Sequence, residues 1–145
     1  MYAKMSIESF INDYKFIWRL KLSIKFDNNL PIYIQIMDWI KHQIVSAKIL
    51  PGEKLLSVRD MSAYLNVNPN TIQRVYRELE REEIVFSKRG MGMYVNVKEE
   101  IIKILKKDMG NKAVKNFMET MKLMGYDKDE ILGLIEEFLS VEKYT

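Results

Sequence analysis

Two apolar-periodic runs joined by Asn66-Val67-Asn68-Pro69, followed by a hairpin pattern, leave residues 55–97 few folds to adopt. Ser57 stands before the first run with Asp60 three residues later, an arrangement close to a capping box. A helix from Val58 to about Leu65 follows, with Met61 and Leu65 facing inward. Asn68 is a good N-cap and Pro69 a good first helical residue, so a second helix starts there. Its apolar positions Ile72, Val75, Tyr76 and Leu79 keep the i, i+3, i+4, i+7 spacing of one buried face. Residues 84–86 and 93–97 read as short strands. Ser87-Lys88-Arg89-Gly90-Met91-Gly92 reads as the tip between them. Two helices, a tight turn and a hairpin make a helix-turn-helix with a wing.

The flanks are read the same way. Ile7, Phe10, Ile11, Tyr14 and Ile17 have helical spacing, which predicts a short amphipathic helix in residues 1–18. Leu20, Leu22, Ile24 and Phe26 alternate with polar residues and predict a strand. Pro31 suits the first turn of a helix that runs to about Ala47 along Ile32, Tyr33, Ile36, Met37, Ile40 and Ile44. Pro51-Gly52 makes the turn after it. Beyond Lys98, Ile101, Ile102, Leu105 and Met109 mark one helix, broken near Gly110. Val114, Phe117, Met118, Met121 and Met124 mark another that Gly125 ends. Asp127 with Glu130 opens a last one.

Composition narrows the function classes. A chain of 145 residues, 48% hydrophobic and 30% charged, can bury a core and stay soluble. It has no cysteine, hence no disulfide, thiolate metal site or cysteine nucleophile. No apolar run approaches the roughly 18 residues of a membrane span, and no signal-peptide core is visible, so the expected location is the cytoplasm. His42 is the only histidine and no catalytic constellation or metal-ligand spacing accompanies it, so no enzyme and no cofactor is expected. Residues 1–52 carry 7 basic and 4 acidic side chains, residues 53–98 carry 8 and 6, and residues 99–145 carry 8 and 10. A nucleic-acid face therefore belongs in the first two thirds.

The central stretch has the chemistry for such a face. A helix fits the major groove and offers its N-terminal residues to base edges first. Asn70, Thr71, Gln73 and Arg74 are the outward residues there: Asn and Gln pair with adenine, Arg with guanine. Arg77 and Arg81 lie where the helix passes a phosphate backbone. Backbone N–H groups at the starts of both helices are phosphate ligands. Lys88 and Arg89 at the hairpin tip reach the flanking backbone or minor groove, and Gly90 allows close approach. The competing reading is that the arginines only solubilise, paired with Glu78, Glu80 and Glu82.

These residues also match a known family. Pro31-Ile32-Tyr33-Ile34-Gln35-Ile36, Leu50-Pro51-Gly52-Glu53-Lys54-Leu55, Ser57-Val58-Arg59, Val67-Asn68-Pro69-Asn70-Thr71, Arg74-Val75-Tyr76-Arg77-Glu78-Leu79-Glu80 and Arg89-Gly90-Met91-Gly92 resemble the winged helix-turn-helix domain of GntR-family transcription regulators. The Asn-Pro-Asn-Thr turn and short helical tail look like the YtrA subfamily. The resemblance implies a dimeric repressor of a palindromic operator, with DNA contacts from Arg59, from the first residues of the recognition helix, and from Arg89 and Gly90. Pro69 and Gln73 stand where arginines are common in the family, so base reading falls to Asn70, Thr71, Gln73 and Arg74. The DNA-binding set is Ser57, Arg59, Asn68, Pro69, Asn70, Thr71, Gln73, Arg74, Arg77, Lys88, Arg89 and Gly90.

The expected fold is mainly α with a small β-hairpin wing. An N-terminal extension (1–24) precedes a winged helix-turn-helix domain (25–98), and a short helical dimerisation region (99–145) follows. The tail is too short for an ordinary ligand-binding domain. Its apolar stripes are expected to meet a second copy, giving a homodimer. Met118, Met121 and Met124 read as core fillers in preference to a small-molecule effector pocket. The alternative function is a winged-helix protein-interaction module that binds no specific DNA.

Overall fold

A computed structural model describes residues 24–142 of the chain. The helix expected in residues 1–18 and most of the expected strand lie outside this range. Of that strand, residues 24–26 run without regular structure, and Phe26 instead packs half-buried on the core. The helices are α1 (Ile32–Val45), α2 (Val58–Leu65), α3 (Pro69–Arg81), α4 (Glu99–Leu123) and α5 (Lys128–Val141); the strands are β1 (Val85–Lys88) and β2 (Gly92–Val95). The chain divides into two compact units, one up to Leu105 and one from Lys106 on.

Local chemistry sets the boundaries of the first unit. Gln35 in the first turn of α1 clips down the preceding loop. Its Oε1 accepts from the Asp27 N–H at 2.8 Å and its Nε2 donates to the Asp27 and Leu30 carbonyls at 2.8 and 2.9 Å. Ser57 caps α2: its hydroxyl accepts from the Asp60 N–H at 3.0 Å and donates to the Asp60 carboxylate at 2.8 Å. Asn66 closes α2 in the left-handed region, φ 53°. Asn68 caps α3, accepting from the Asn70 N–H at 2.8 Å, with Pro69 in the first position.

One core joins these elements. Ile36, Ile40, Ile44, Met61, Ile72, Val75, Leu79, Val85 and Val95 are all buried in it, and α3 packs against α1, α2 and β1. The hairpin pairs Val85 with Val95 through Lys88 with Gly92. The Lys54 segment runs along the free side of β2: Leu55 N–H donates to the Met93 carbonyl at 2.8 Å and Val95 N–H to the Glu53 carbonyl at 2.9 Å. Two side chains lock the C-terminal end of α3. Lys41 pairs with Glu82 at 2.6 Å, and Glu80 accepts from the Ser87 N–H and hydroxyl at 3.1 and 2.7 Å, tying the wing to the helix.

Tyr76 crosses the core to donate to the Leu56 carbonyl at 2.6 Å. Tyr76→Phe strands that buried carbonyl and is expected to cost about 1–3 kcal/mol in urea unfolding. Burial, reinforced by the charge of Asp60, holds the Tyr76 phenol protonated far above the ordinary 10.0. The unfolded phenol ionises near that value and the folded one does not. The stability it lends is therefore complete below about pH 10 and declines above it. Urea titrations at about pH 8 and about pH 10.5 should show a steeper alkaline loss in the wild type than in Tyr76→Phe.

In the second unit Gly125, φ 85°, ends α4. The Tyr126 N–H reaches the Met121 carbonyl at 3.1 Å and the Gly125 N–H the Lys122 carbonyl at 3.0 Å. Asp127 and Glu130 form a reciprocal capping box at the start of α5, both bonds 2.9 Å. Met121 and Ile131 are buried. The break expected near Gly110 is absent, and α4 runs on for 25 residues. Glycine inside a helix costs only about 1 kcal/mol relative to alanine, too little to end one that good helix formers continue. The pattern looked like two helices because its apolar stripe changes side. At about 100° per residue, Ile101, Ile102, Leu105 and Met109 share one side, while Val114, Phe117, Met118 and Met121 fall on another.

Candidate nucleic-acid interface

The face of α3 turned away from the core carries Asn70, Gln73, Arg74 and Arg77, all exposed. The spacing forces this: with Ile72, Val75, Tyr76 and Leu79 buried, these positions lie opposite. Thr71, expected on the same outward set, is half-buried at its edge. The solubilising pairing fails for most of the arginines. Glu80 is engaged with Ser87 and Glu82 with Lys41, and only Glu78 holds an arginine, Arg81 at 2.6 Å. Among the described residues Arg59, Arg74, Arg77 and Arg89 have no carboxylate partner.

The helix starts differ from expectation. At α3 no backbone N–H remains for a phosphate. Pro69 has none, the Asn70 N–H is taken by Asn68 Oδ1, and the Thr71 N–H donates to the Asn68 carbonyl at 2.9 Å. Asn68 itself serves as the cap. At α2 the Ser57 hydroxyl takes the Asp60 N–H, and exposed Arg59 stands in the first turn beside it.

The wing also differs. Lys88 is the last residue of β1, not part of the tip, and its ammonium lies 4.5 Å from the Tyr94 ring centroid and 5.8 Å from that of Phe86. The two rings stack at 5.9 Å. The tip shrinks to Arg89-Gly90-Met91, closed by the Met91 N–H on the Lys88 carbonyl at 2.9 Å. Gly90 supplies the positive φ, 75°, that the third residue of such a turn needs. Gly92 has φ 113°, and a Cβ there would meet Lys54 Cε at 3.0 Å.

Two residues escaped the sequence reading. Lys54 runs beside Gly92 and adds a cation to the wing flank. Tyr33 on α1 lies under the Arg74 guanidinium, 3.6 Å from ring centroid to Cζ. An aromatic at the margin of an apolar stripe hinted at a polar neighbour for Tyr33; Lys54 stands in the family-like stretch 50–55, but nothing there marked it as a neighbour of the wing. His42 is exposed and donates Nδ1–H to the Asp38 carbonyl at 2.7 Å, a local helix contact.

Comparisons with known proteins agree with this geometry. The family described as "Bacterial regulatory proteins, gntR family" matches residues 32–95. An uncharacterized HTH-type transcriptional regulator of Bacillus subtilis (strain 168), YhcF, is 43% identical over 114 residues, 79% of this chain and 94% of YhcF. The chain belongs to the GntR family. A solved GntR family transcriptional regulator from Listeria monocytogenes has TM-score 0.74 and 39% identity, over 77% of this chain and 98% of that one. The HTH-type transcriptional repressor YtrA of Bacillus subtilis (strain 168) is 41% identical over 69 residues, 48% of this chain and 53% of YtrA. The mainly helical GntR architecture with its hairpin wing is the one the sequence predicts.

Proposed function

We propose that this GntR-family regulator is a homodimeric repressor that binds a palindromic DNA operator in the cytoplasm. The observation that carries the reading is the exposed row Asn70, Gln73, Arg74 and Arg77 on α3, with Glu80 and Glu82 drawn away from it by Ser87 and Lys41. In this reading Asn70 and Gln73 meet base edges, with Thr71 beside them. Arg77 and Arg59, with Ser57 at the α2 start, meet phosphates. Asn68 and Pro69 set the entry of the helix. Lys88, Arg89 and Gly90 bring the wing to the flanking groove, joined by Lys54. The repressor assignment rests on the likeness to YtrA, described as a repressor. A two-fold dimer is supported by a tail whose α5 presents Leu132, Phe138 and Leu139 to solvent in the single chain. The relatives are described as transcriptional regulators, which supports a role without catalysis.

Anisotropy titrations against the duplex upstream of the protein's own gene, at two salt concentrations, test it. Log K should fall steeply with log salt in proportion to the phosphates contacted. A protein-interaction module gives no retention on any duplex at low salt, and that result would sink the DNA reading. Arg59→Ala and Arg89→Ala should weaken specific and random duplexes alike. Asn70→Ala and Gln73→Ala should relax sequence preference by about 1–3 kcal/mol at the affected base pair. Identical behaviour of all four variants would refute this division of labour.

A further inference from the structure

Arg74 differs from its neighbours on α3 because another helix holds it. Its guanidinium lies 3.6 Å from the Tyr33 ring centroid. That ring is half-buried and packed on the core, so it forms a fixed platform. A guanidinium lying on an aromatic ring uses its flat face and leaves its edge N–H donors for a planar or phosphate anion. Glu78, one turn further along, is taken by Arg81 at 2.6 Å and does not neutralise Arg74. The side chain is drawn toward α1, away from the direct line by which Asn70 and Gln73 leave the helix.

Resting on the DNA-binding reading, we propose that Tyr33 is a positioning residue that holds Arg74 as a preformed fork for one DNA phosphate. Arg74 then sets affinity and leaves base choice to Asn70 and Gln73. The stack orders a long, mobile side chain before DNA arrives, so less rotamer freedom is lost on binding.

The test uses the full chain, its promoter duplex and a scrambled duplex of equal length across a salt series. Tyr33→Phe keeps the ring and should bind within about twofold of wild type. Tyr33→Leu should bind both duplexes about threefold to tenfold more weakly. Arg74→Ala should lose at least as much on both, with the log K against log salt slope shallower by about 0.9. The Tyr33→Leu, Arg74→Ala double variant should bind no more weakly than Arg74→Ala, because the stack then has nothing to hold. In the free protein, the Arg74 Nε–H resonance should carry a ring-current shift in wild type and Tyr33→Phe. Should Tyr33→Leu melt the domain, Arg74→Lys keeps the charge but loses the fork, and should weaken both duplexes about threefold to tenfold. Wild-type affinity in Tyr33→Leu or in Arg74→Lys, or independent losses that multiply in the double variant, overturns the proposal. So does an Arg74→Ala chain that loses only its preference for the promoter duplex. A wild-type chain that binds no duplex at low salt overturns the DNA reading itself, and the two failures are thereby distinguished.

Discussion

Aspartate at both Phe138 and Leu139 is expected to leave the chain monomeric and to weaken its hold on a two-fold operator by about a hundredfold or more. Both side chains lie on α5 and are 57% and 47% exposed in the single chain. Neither belongs to the buried pair Met121 and Ile131 of the second unit, so the substitutions leave the protomer's own packing intact. The helices nonetheless present Val114, Phe117, Leu132, Leu134, Ile135, Phe138 and Leu139 to solvent. That is a large set of apolar side chains for an isolated domain to leave wet. In the proposed dimer a second copy would cover it and turn two weak DNA contacts into one bidentate contact. The second winged unit then binds at the effective concentration set by the dimer. Two buried aspartates would have to be desolvated without partners in such an interface. Sedimentation velocity reads the oligomeric state, and anisotropy on promoter and half-site duplexes reads the affinity. A double-aspartate chain that still sediments as a dimer would place the contact elsewhere, and unchanged operator affinity in a proven monomer would remove the need for two-fold binding.

How much of this was legible in sequence depends on how far apart the interacting residues are. Caps were legible because their chemistry is local: Ser57 with Asp60, Asn68 with Pro69, and Asp127 with Glu130 each satisfy groups within three residues. The buried face of α3 was legible because Ile72, Val75, Tyr76 and Leu79 repeat at the helical period. Gly110 misled because a small propensity penalty and a change of stripe look alike on paper. The sequence pattern puts Lys88 at the tip because a strand end and a turn differ only in pairing, and the Lys88–Gly92 pair is a tertiary fact. The phosphate-binding N–H groups expected at α3 were lost to the same Asn68 cap that made the helix start so readable. The Tyr33–Arg74 stack joins residues on separate helices, and no local pattern foretells which aromatic meets which arginine. The same holds for Glu80 and Glu82, whose tertiary partners Ser87 and Lys41 leave Arg74 and Arg77 without a carboxylate.

Ile72→Ala should destabilise the first unit by about 2–5 kcal/mol, out of the roughly 5–15 kcal/mol that holds a domain of this size together. Ile72 is fully buried one residue beyond Thr71, in the first turn of α3, and shares one core with Met61 of α2 and Ile36 and Ile40 of α1. Removing its branched side chain takes away apolar contact and leaves a cavity that the surrounding helices close only in part. The site makes the loss matter beyond stability. Asn70 and Gln73 are the neighbours of Ile72 on the outward side, and their aim depends on the first turn of α3 being pinned from beneath. At low temperature, where the variant remains folded, its discrimination between promoter and scrambled duplex should fall even though no residue of the proposed DNA face has changed. Urea unfolding gives the first quantity and anisotropy on the two duplexes the second. An Ile72→Ala chain that loses stability yet keeps full discrimination would mean that the Asn68 cap and Pro69 alone hold the start of the recognition helix, and that the core beneath it serves stability only.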